Sequence, residues 1–198
     1  MTVRILRPAE TPWGDYGDIL MHGMIVRLDR DDGMLQLERT GPYMPPITFP
    51  GIGDIVVTDA FKVQLLAAGF QGLSFRPVRK ARVVELNWES WDRNGEPLEY
   101  PESGEPEDYV LARSHSPQAA ASLGDLWELV LPVVASIKRV PSGGRQTDVR
   151  IVVSLDAWSG EQLFRADGVL YNYVSDSGQE WLAGHVGEHV SFETCDVA

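Results

Sequence analysis

Residues 51–75 read GIGDIVVTDAFKVQLLAAGFQGLSF, and a similar stretch occurs again near the end of the chain. Residues 168–192 read GVLYNYVSDSGQEWLAGHVGEHVSF and align with it without a gap, at an offset of 117 positions. The identical pairs are Gly51/Gly168, Val57/Val174, Asp59/Asp176, Leu65/Leu182, Ser74/Ser191 and Phe75/Phe192. We predict that one structural unit occurs twice in the chain. The alternative is recurrence of a common local pattern.

Both stretches begin with the pattern of a strand that leads into a capped helix. Residues 55–57 and 171–174 are short β-branched and aromatic runs, which favour buried or half-buried strands. Thr58 and Ser175 follow these runs and supply hydroxyl groups that can cap the first free N–H groups of a helix. An aspartate comes next in both stretches, where the helix dipole favours negative charge.

The helix of the first stretch is predicted to end before a second strand. Phe61, Leu65 and Ala68 fall at helical spacing on one face, and Gly69 is a helix stop. An extended run resumes at residues 73–75, with its counterpart at residues 190–192. Because a strand–helix–strand unit cannot bury its apolar face alone, we expect the two units to share one core or one sheet.

The rest of the chain has the turn-rich pattern of short strands. We predict a hairpin from residues 19–28 and 34–39 around a turn at 29–33, and a second hairpin with a turn at 141–144 and an arm at 149–155. Further predicted elements are strands at 3–6, 79–88 and 126–134, a helix at 117–123, an irregular connector at 41–53 and a link at 158–165. Since helices are few and short, the predicted fold class is α+β with a mostly antiparallel sheet.

Size and composition suggest one domain that spans residues 1–198. The chain has 198 residues with 43% apolar content, which is enough to bury a substantial core. Cys195 is the only cysteine, so we expect no disulfide framework and no cysteine-based metal site. The sequence shows neither a signal peptide nor an apolar run of about 20 residues. A cytoplasmic location without membrane contact is therefore predicted, with no cofactor.

The net charge of −12 is concentrated in one part of the chain. Residues 85–108 contain nine acidic residues and one basic residue, Arg93, so they carry −8 of the total. Such a surface repels phosphate backbones, which argues against nucleic-acid binding, and it attracts a basic partner.

Residues 89–108, called the acidic segment below, are the predicted partner-binding site. Prolines and glycines exclude regular structure there, and a loop of this length is usually functional or mobile. Aromatic residues interleaved with charge are typical of binding hot spots, although a merely solvated loop is the alternative. The predicted partner-binding residues are Trp88, Glu89, Trp91, Asp92, Glu96, Glu99, Tyr100, Glu102, Glu105, Glu107 and Asp108.

The clearest match to a catalytic motif is His185-Val186-Gly187-Glu188-His189, which fits the H-x-x-E-H pattern of zinc hydrolases. That mechanism needs one helix that holds both histidines, and Gly184 and Gly187 interrupt it. We therefore predict a helix end and a loop there, with no metal and no catalytic residue. The acidic segment has enough carboxylates to supply a catalytic pair, as in glycosidases, but a Pro/Gly-rich loop holds such a pair poorly for catalysis. Cys195 is predicted to lie in a mobile tail.

Two runs carry a resemblance to a known family: PGIGDIVVTDAFKVQLLAAGFQGLSFRPVRKARVVELNWESWDR at residues 50–93 and YPESGEPEDYVLARSHSPQAAASLGDLWELV at 100–130. They resemble the double-CXXCG-motif family and related immunity proteins of bacterial polymorphic toxin systems. That family repeats a D-(I/V/L)-x-V-S-(E/D) phrase before a G-(F/L)-x-F-x-P-V strand, and residues 174–192 echo it. The paired CxxCG knuckles are absent here, so no zinc site is carried over.

The resemblance implies a protein that binds and neutralises a cognate toxin by direct contact and that is not an enzyme. The acidic segment fits a toxin with a basic surface, such as a nuclease. A carboxylate- or metal-dependent hydrolase and a non-catalytic scaffold protein are the alternatives. The sequence does not indicate the oligomeric state.

Overall fold

The computed structural model describes residues 2–26, 33–141 and 149–198. Within these ranges the strands are β1 (Val3–Pro8), β2 (Met24–Ile25), β3 (Gln36–Gly41), β4 (Ile47–Gly51), β5 (Asp54–Thr58), β6 (Ser74–Pro77), β7 (Arg79–Glu85), β8 (Leu126–Val130), β9 (Val133–Pro141), β10 (Val149–Ser154), β11 (Leu163–Asp167), β12 (Asn172–Ser175), β13 (Val190–Thr194) and β14 (Asp196–Val197). The helices are α1 (Asp15–His22), α2 (Asp59–Ala67), α3 (Asp108–Leu111), α4 (Pro117–Ser122) and α5 (Asp176–Val186). The sheets are mixed and mostly antiparallel, which confirms the predicted α+β class.

The contacts divide the chain into two compact units. The terminal unit comprises Met1–Ala9, Ala67–Ser74 and Val130–Ala198. The central unit comprises Glu10–Leu66 and Phe75–Leu129. Because both units are built from separate segments, neither corresponds to one continuous stretch of sequence. The prediction of a single domain over residues 1–198 stays a prediction.

The terminal unit contains one sheet with the strand order β13-β1-β12-β11-β9-β10-β14. The strands at its two edges, β13 and β14, are separated in sequence by Cys195 alone. β13 pairs with β1, and β14 pairs with β10 at the other end of the order. The closing segment, residues 190–197, therefore joins the two edges, so the sheet closes on itself.

An apolar cluster fills the inside of this closed sheet. Its buried members come from strands around the sheet: Val3, Ile5, Ala135, Val153, Phe164, Ala166 and Tyr173. Val3 and Ile5 alternate along β1, as expected when one face of a strand is buried. Cys195 packs against the same cluster, and its Sγ donates a hydrogen bond of 3.2 Å to the Val3 carbonyl. The prediction that Cys195 lies in a mobile tail is therefore wrong.

The stretch at 168–192 forms β12, α5 and most of β13. Both strands pair with β1 in antiparallel orientation, so β1 lies between them in the sheet. Ser175 caps α5, as predicted, because its Oγ accepts a hydrogen bond of 3.3 Å from the Gly178 N–H. The strand–helix–strand pattern of this stretch thus forms around a strand from the other end of the chain.

The stretch at 51–75 forms β5 and α2 and enters β6. The sheet order β4-β5-β8-β6 places β8 between its two strands, as β1 lies between β12 and β13. Thr58 accepts a hydrogen bond of 3.3 Å from the Phe61 N–H, which confirms the predicted cap. Phe61 and Leu65 are buried, but Ala68 is exposed beyond the helix end. That the two stretches are copies of one unit stays a prediction.

The central unit also contains a sheet with the order β2-β3-β7. β2 and β3 pair in antiparallel orientation, as the first predicted hairpin requires, although residues 27–32 lie outside the described residues. Residues 19–22 are helical, not extended, because they belong to α1. In the terminal unit β9 and β10 form the second predicted hairpin, and residues 142–148 of its turn lie outside the described residues.

Two segments predicted as irregular contain strands. β4 lies within the predicted connector at 41–53 and pairs with β5. β11 lies partly in the predicted link at 158–165 and pairs with β12 and β9. The strand predicted at 79–88 ends at Glu85, and a 3₁₀ turn follows at Trp88–Ser90. The predicted helix at 117–123 is α4.

Candidate protein-binding surface

The acidic segment is ordered by a series of tight turns. The Asp92 carboxylate accepts a hydrogen bond of 3.0 Å from the Asn94 N–H. The Gly104 N–H donates to the Pro101 carbonyl at 3.0 Å, and the Asp108 N–H donates to Glu105 at 3.0 Å. Beyond the 3₁₀ turn at its start, regular structure begins only at α3, which agrees with the predicted irregular loop. Its backbone nevertheless has defined partners.

Aromatic side chains hold the acidic segment against the rest of the central unit. Three of them donate hydrogen bonds to its carbonyl groups: Trp13 Nε1 to Gly95 at 3.0 Å, the Tyr16 hydroxyl to Gly104 at 2.7 Å and the Tyr109 hydroxyl to Glu99 at 2.6 Å. Trp13 and Tyr16 precede or belong to α1, so this helix positions the segment. The loop is therefore held at three points along its length.

Two of the predicted partner-binding aromatics lie inside the protein. Trp88 is 1% exposed and Trp91 is 8% exposed, and both belong to a core cluster with Tyr109. Trp88 Nε1 donates to the Thr40 hydroxyl at 2.9 Å, which satisfies its polar atom. We therefore correct the predicted surface, because Trp88 and Trp91 stabilise the base of the acidic segment and do not face a partner.

The apolar groups on the surface are different residues. Tyr100 is about half exposed, and its ring packs edge-on against Tyr16 with centroids 5.1 Å apart. Leu98 is 74% exposed and Leu111 is also exposed, although neither was selected from the sequence. The sequence signal for Leu98 and Leu111 was that both are apolar residues outside any periodic pattern that would place them in a core. Exposed apolar side chains among charges are the composition of an interface centre with a polar rim.

Most of the predicted carboxylates are exposed. Those on the surface are Glu89, Asp92, Glu96, Glu99, Glu102, Glu105 and Glu107, and Asp108 is half-buried. Glu99 forms an ion pair with Arg113 at 2.8 Å. Glu96 accepts a hydrogen bond from Tyr100, and this bond raises the pKa of the tyrosine to about 12.

Helix α1 adds two acidic residues that sequence reasoning missed. Asp15 and Asp18 lie in its first turn and are exposed. Between them in sequence, Tyr16 contacts the acidic segment through Gly104 and Tyr100. The acidic surface therefore includes the start of α1. The signal in the sequence was the pair of aspartates behind Pro12 and Gly14, which is typical of a helix start.

A groove of about 600 Å³ runs along part of this surface. Glu99, Glu102 and Asp108 line it together with Tyr100, and Arg113 supplies one positive charge. Exposed carboxylates beside an aromatic ring can attract a lysine or arginine side chain.

The H-x-x-E-H residues do not form the helical arrangement that zinc hydrolases use. α5 ends at Val186, so His189 lies beyond the helix that carries His185. The His185 ring stacks on Trp181 with centroids 3.9 Å apart, and its Nδ1 is 2.8 Å from the Trp181 carbonyl. Among the residues that the structure describes, no group of three or more His, Cys, Asp or Glu side chains is arranged to hold a metal ion.

No family model matches the chain, and no curated protein sequence matches it either. In the described parts of the chain, no helix has the length and apolar character needed to cross a bilayer.

Proposed function

We propose that this protein is an immunity protein that binds a cognate bacterial toxin directly and neutralises it in the cytoplasm. The acidic surface, defined as the exposed residues of the acidic segment together with Asp15 and Asp18, contacts a basic surface of the toxin. The proposal requires no catalysis, no cofactor and no contact with nucleic acid. The resemblance of residues 50–130 to immunity proteins of polymorphic toxin systems motivates the choice of partner.

One observation carries the proposal: seven exposed carboxylates lie on a loop whose backbone is fixed at three points. A loop that is already ordered loses little conformational entropy on binding, so more of its contact energy appears as affinity. Clustered negative charge also accelerates the encounter with a basic protein. A loop needed only for solubility has no need of such fixed geometry.

The exposed apolar residues of this surface are suited to slowing the dissociation of a bound partner. Charge attraction raises the association rate, whereas buried apolar contacts lower the dissociation rate. Leu98, Tyr100 and Leu111 are exposed beside the carboxylates and lose water contact when a partner covers them. They take the role that the sequence assigned to Trp88 and Trp91.

The experiment that tests this function is affinity capture from the native cell at low and at moderate salt, followed by mass spectrometry. We expect one protein with a basic domain to be retained at low salt and reduced at moderate salt. Titration calorimetry with the purified partner should give a fixed stoichiometry without turnover, and the partner's toxicity should disappear at that ratio. Capture of a partner that remains toxic when saturated would contradict neutralisation and favour a scaffold protein.

A further inference from the structure

A cavity of about 290 Å³ opens into the closed sheet of the terminal unit. Ile5, Val153 and Ile151 supply its apolar side, from β1 and β10. Tyr173 of β12 and the preceding Tyr171 also line it, and the closing segment contributes residues 194–196. Ile151 is 46% exposed, so its aliphatic side chain is accessible at this cavity. Its volume is at the small end of the range for pockets that hold small molecules.

The Tyr173 side chain gives the cavity a free polar group. Tyr173 is only 1% exposed, and its ring stacks on Phe164 with centroids 5.8 Å apart. Its hydroxyl has no hydrogen-bond partner among the residues that the structure describes. Tyr173 lines the cavity together with Tyr171 and Cys195. A phenol hydroxyl at a cavity can donate a hydrogen bond to water or to an acceptor atom of a ligand.

The chemistry of the lining defines the charge of a suitable ligand. Burial raises the pKa of Tyr173 to about 12 and raises the pKa of the Cys195 thiol, so both groups are neutral at pH 7. The one carboxylate of the lining, Asp196, pairs with Arg150 at 3.4 Å. The cavity thus presents no uncompensated charge. Its protonated Tyr173 hydroxyl is available as a hydrogen-bond donor.

We propose that this cavity binds a small neutral molecule that is mainly apolar and carries one hydrogen-bond acceptor, such as a carbonyl oxygen. The apolar part contacts Ile5, Ile151 and Val153, and the acceptor takes the hydrogen bond from Tyr173. The cavity lies in the terminal unit and the acidic surface in the central unit, and they share no residue, so it is an additional binding activity of the protein. Its test does not depend on the toxin.

The test compares two probes of matched shape, acetophenone and ethylbenzene, which differ in the carbonyl oxygen. Binding is followed by methyl NMR of labelled isoleucine, with Ile5 and Ile151 as reporters inside the cavity. We expect saturable shifts of both residues, with acetophenone bound more tightly. Tyr173→Phe should weaken acetophenone about fivefold, the usual effect of one hydrogen bond, and change ethylbenzene less than twofold.

Two further variants make each result decisive. Tyr16→Phe, which alters a hydroxyl in the central unit, should leave both probes unaffected. Ile151→Trp should abolish both, and this half-exposed position tolerates a larger side chain without loss of the fold. Shifts that do not saturate, an equal affinity change for both probes in Tyr173→Phe, or unchanged binding in Ile151→Trp would each overturn the proposal.

Discussion

Arg39 is a fully buried cation, which is rare for an arginine. Its Nε donates to the Thr40 carbonyl at 2.9 Å, and its Nη2 donates to Tyr43 at 3.2 Å and to Met21 at 3.4 Å. Met21 belongs to the last turn of α1, where the helix dipole favours positive charge. Desolvation lowers the pKa of Arg39 to about 9. One side chain therefore links β3, the end of α1 and the loop that follows β3.

We expect Arg39→Lys to lower the free energy of unfolding by roughly 2 kcal/mol, because an ammonium group cannot reproduce the planar fork of donors. Urea unfolding followed by tryptophan fluorescence measures the change. The matched control is Arg150→Lys, whose exposed pair with Asp196 should contribute less than about 1 kcal/mol. Equal stability of the two variants would show that the buried hydrogen bonds of Arg39 do not support the fold.

Cys195 provides a pH-dependent prediction at the same scale. Burial, followed by the charges of Asp196 and Glu193, raises the pKa of its thiol above the ordinary value of 9.0. Iodoacetamide should therefore modify the folded protein with a midpoint above pH 9 and the urea-unfolded protein with a lower midpoint. Since the unfolded thiol loses its proton first, this group's contribution to stability declines as the pH rises above 9. Identical midpoints in the two states would contradict the buried placement.

Helix α5 depends on a close approach that only glycine permits. Gly178 lies in its first turn, where an added Cβ would lie 2.5 Å from the Gln162 carbonyl oxygen and 2.9 Å from a Val174 methyl carbon. Gly184 lies in the same helix with nothing within 4 Å of its Cβ position. The two glycines share a helix and differ in their surroundings, so they form a matched pair.

We expect Gly178→Ala to destabilise the protein by roughly 1–3 kcal/mol, because a backbone carbonyl cannot move aside. Gly184→Ala should stabilise it by up to about 1 kcal/mol through helix propensity. Thermal unfolding followed by circular dichroism gives the sign of each change. A gain of stability in both variants would mean that α5 does not pack closely against the chain at Gln162.

Elements with strong local signals were predictable from the sequence. Thr58 and Ser175 preceded aspartates and correctly marked the starts of α2 and α5. By contrast, β4 was not predicted, because Pro50 within it and the prolines that precede it favour irregular structure. It is an edge strand, and Pro50 is tolerated there because an edge strand needs fewer ladder N–H groups. Residues 19–22 of α1 were assigned to a strand because a short apolar run such as Ile19–Met21 fits either structure.

For the candidate surface, only the exposure of the acidic residues could be predicted from the sequence. A run of glutamates separated by prolines and glycines has to lie on the outside, and the structure agrees for all but the half-buried Asp108. The fate of Trp88 and Trp91 was not predictable, because it depends on α1, which precedes them by about 70 residues in sequence. Many residues next to Trp88 and Trp91 in sequence are charged, whereas the α1 residues that pack in the same core cluster are apolar and distant in sequence. The same tertiary contacts placed Asp15 and Asp18 beside the acidic segment.

At the scale of the whole molecule, charge placement is the property that bears on function. The net charge is −12, and residues 85–108 hold −8 of it, so most of the net charge lies on the central unit. The field of such a region steers a basic partner over distances near the Debye length, about 10 Å at 0.1 M salt. Association should therefore depend on where the charge lies and on the salt concentration, with total charge a weaker influence.

The structure supplies a matched pair of variants for this question. Glu89, Glu102, Glu105 and Glu107 are exposed on the acidic segment, and none of their side chains forms a hydrogen bond or ion pair within the described residues. Asp125, Asp167, Glu180 and Glu188 are exposed elsewhere. Replacing either set with lysine changes the net charge equally. Only the first set alters the acidic surface.

The most direct measurement is the association rate of each variant with the captured toxin, by stopped-flow fluorescence from low to high ionic strength. We expect the first variant to associate about tenfold to a hundredfold more slowly at low salt and to lose most of its salt dependence. The second variant should stay close to the unmodified protein. Equal slowing in both variants, or no change in the first, would contradict a role for the acidic surface in toxin binding.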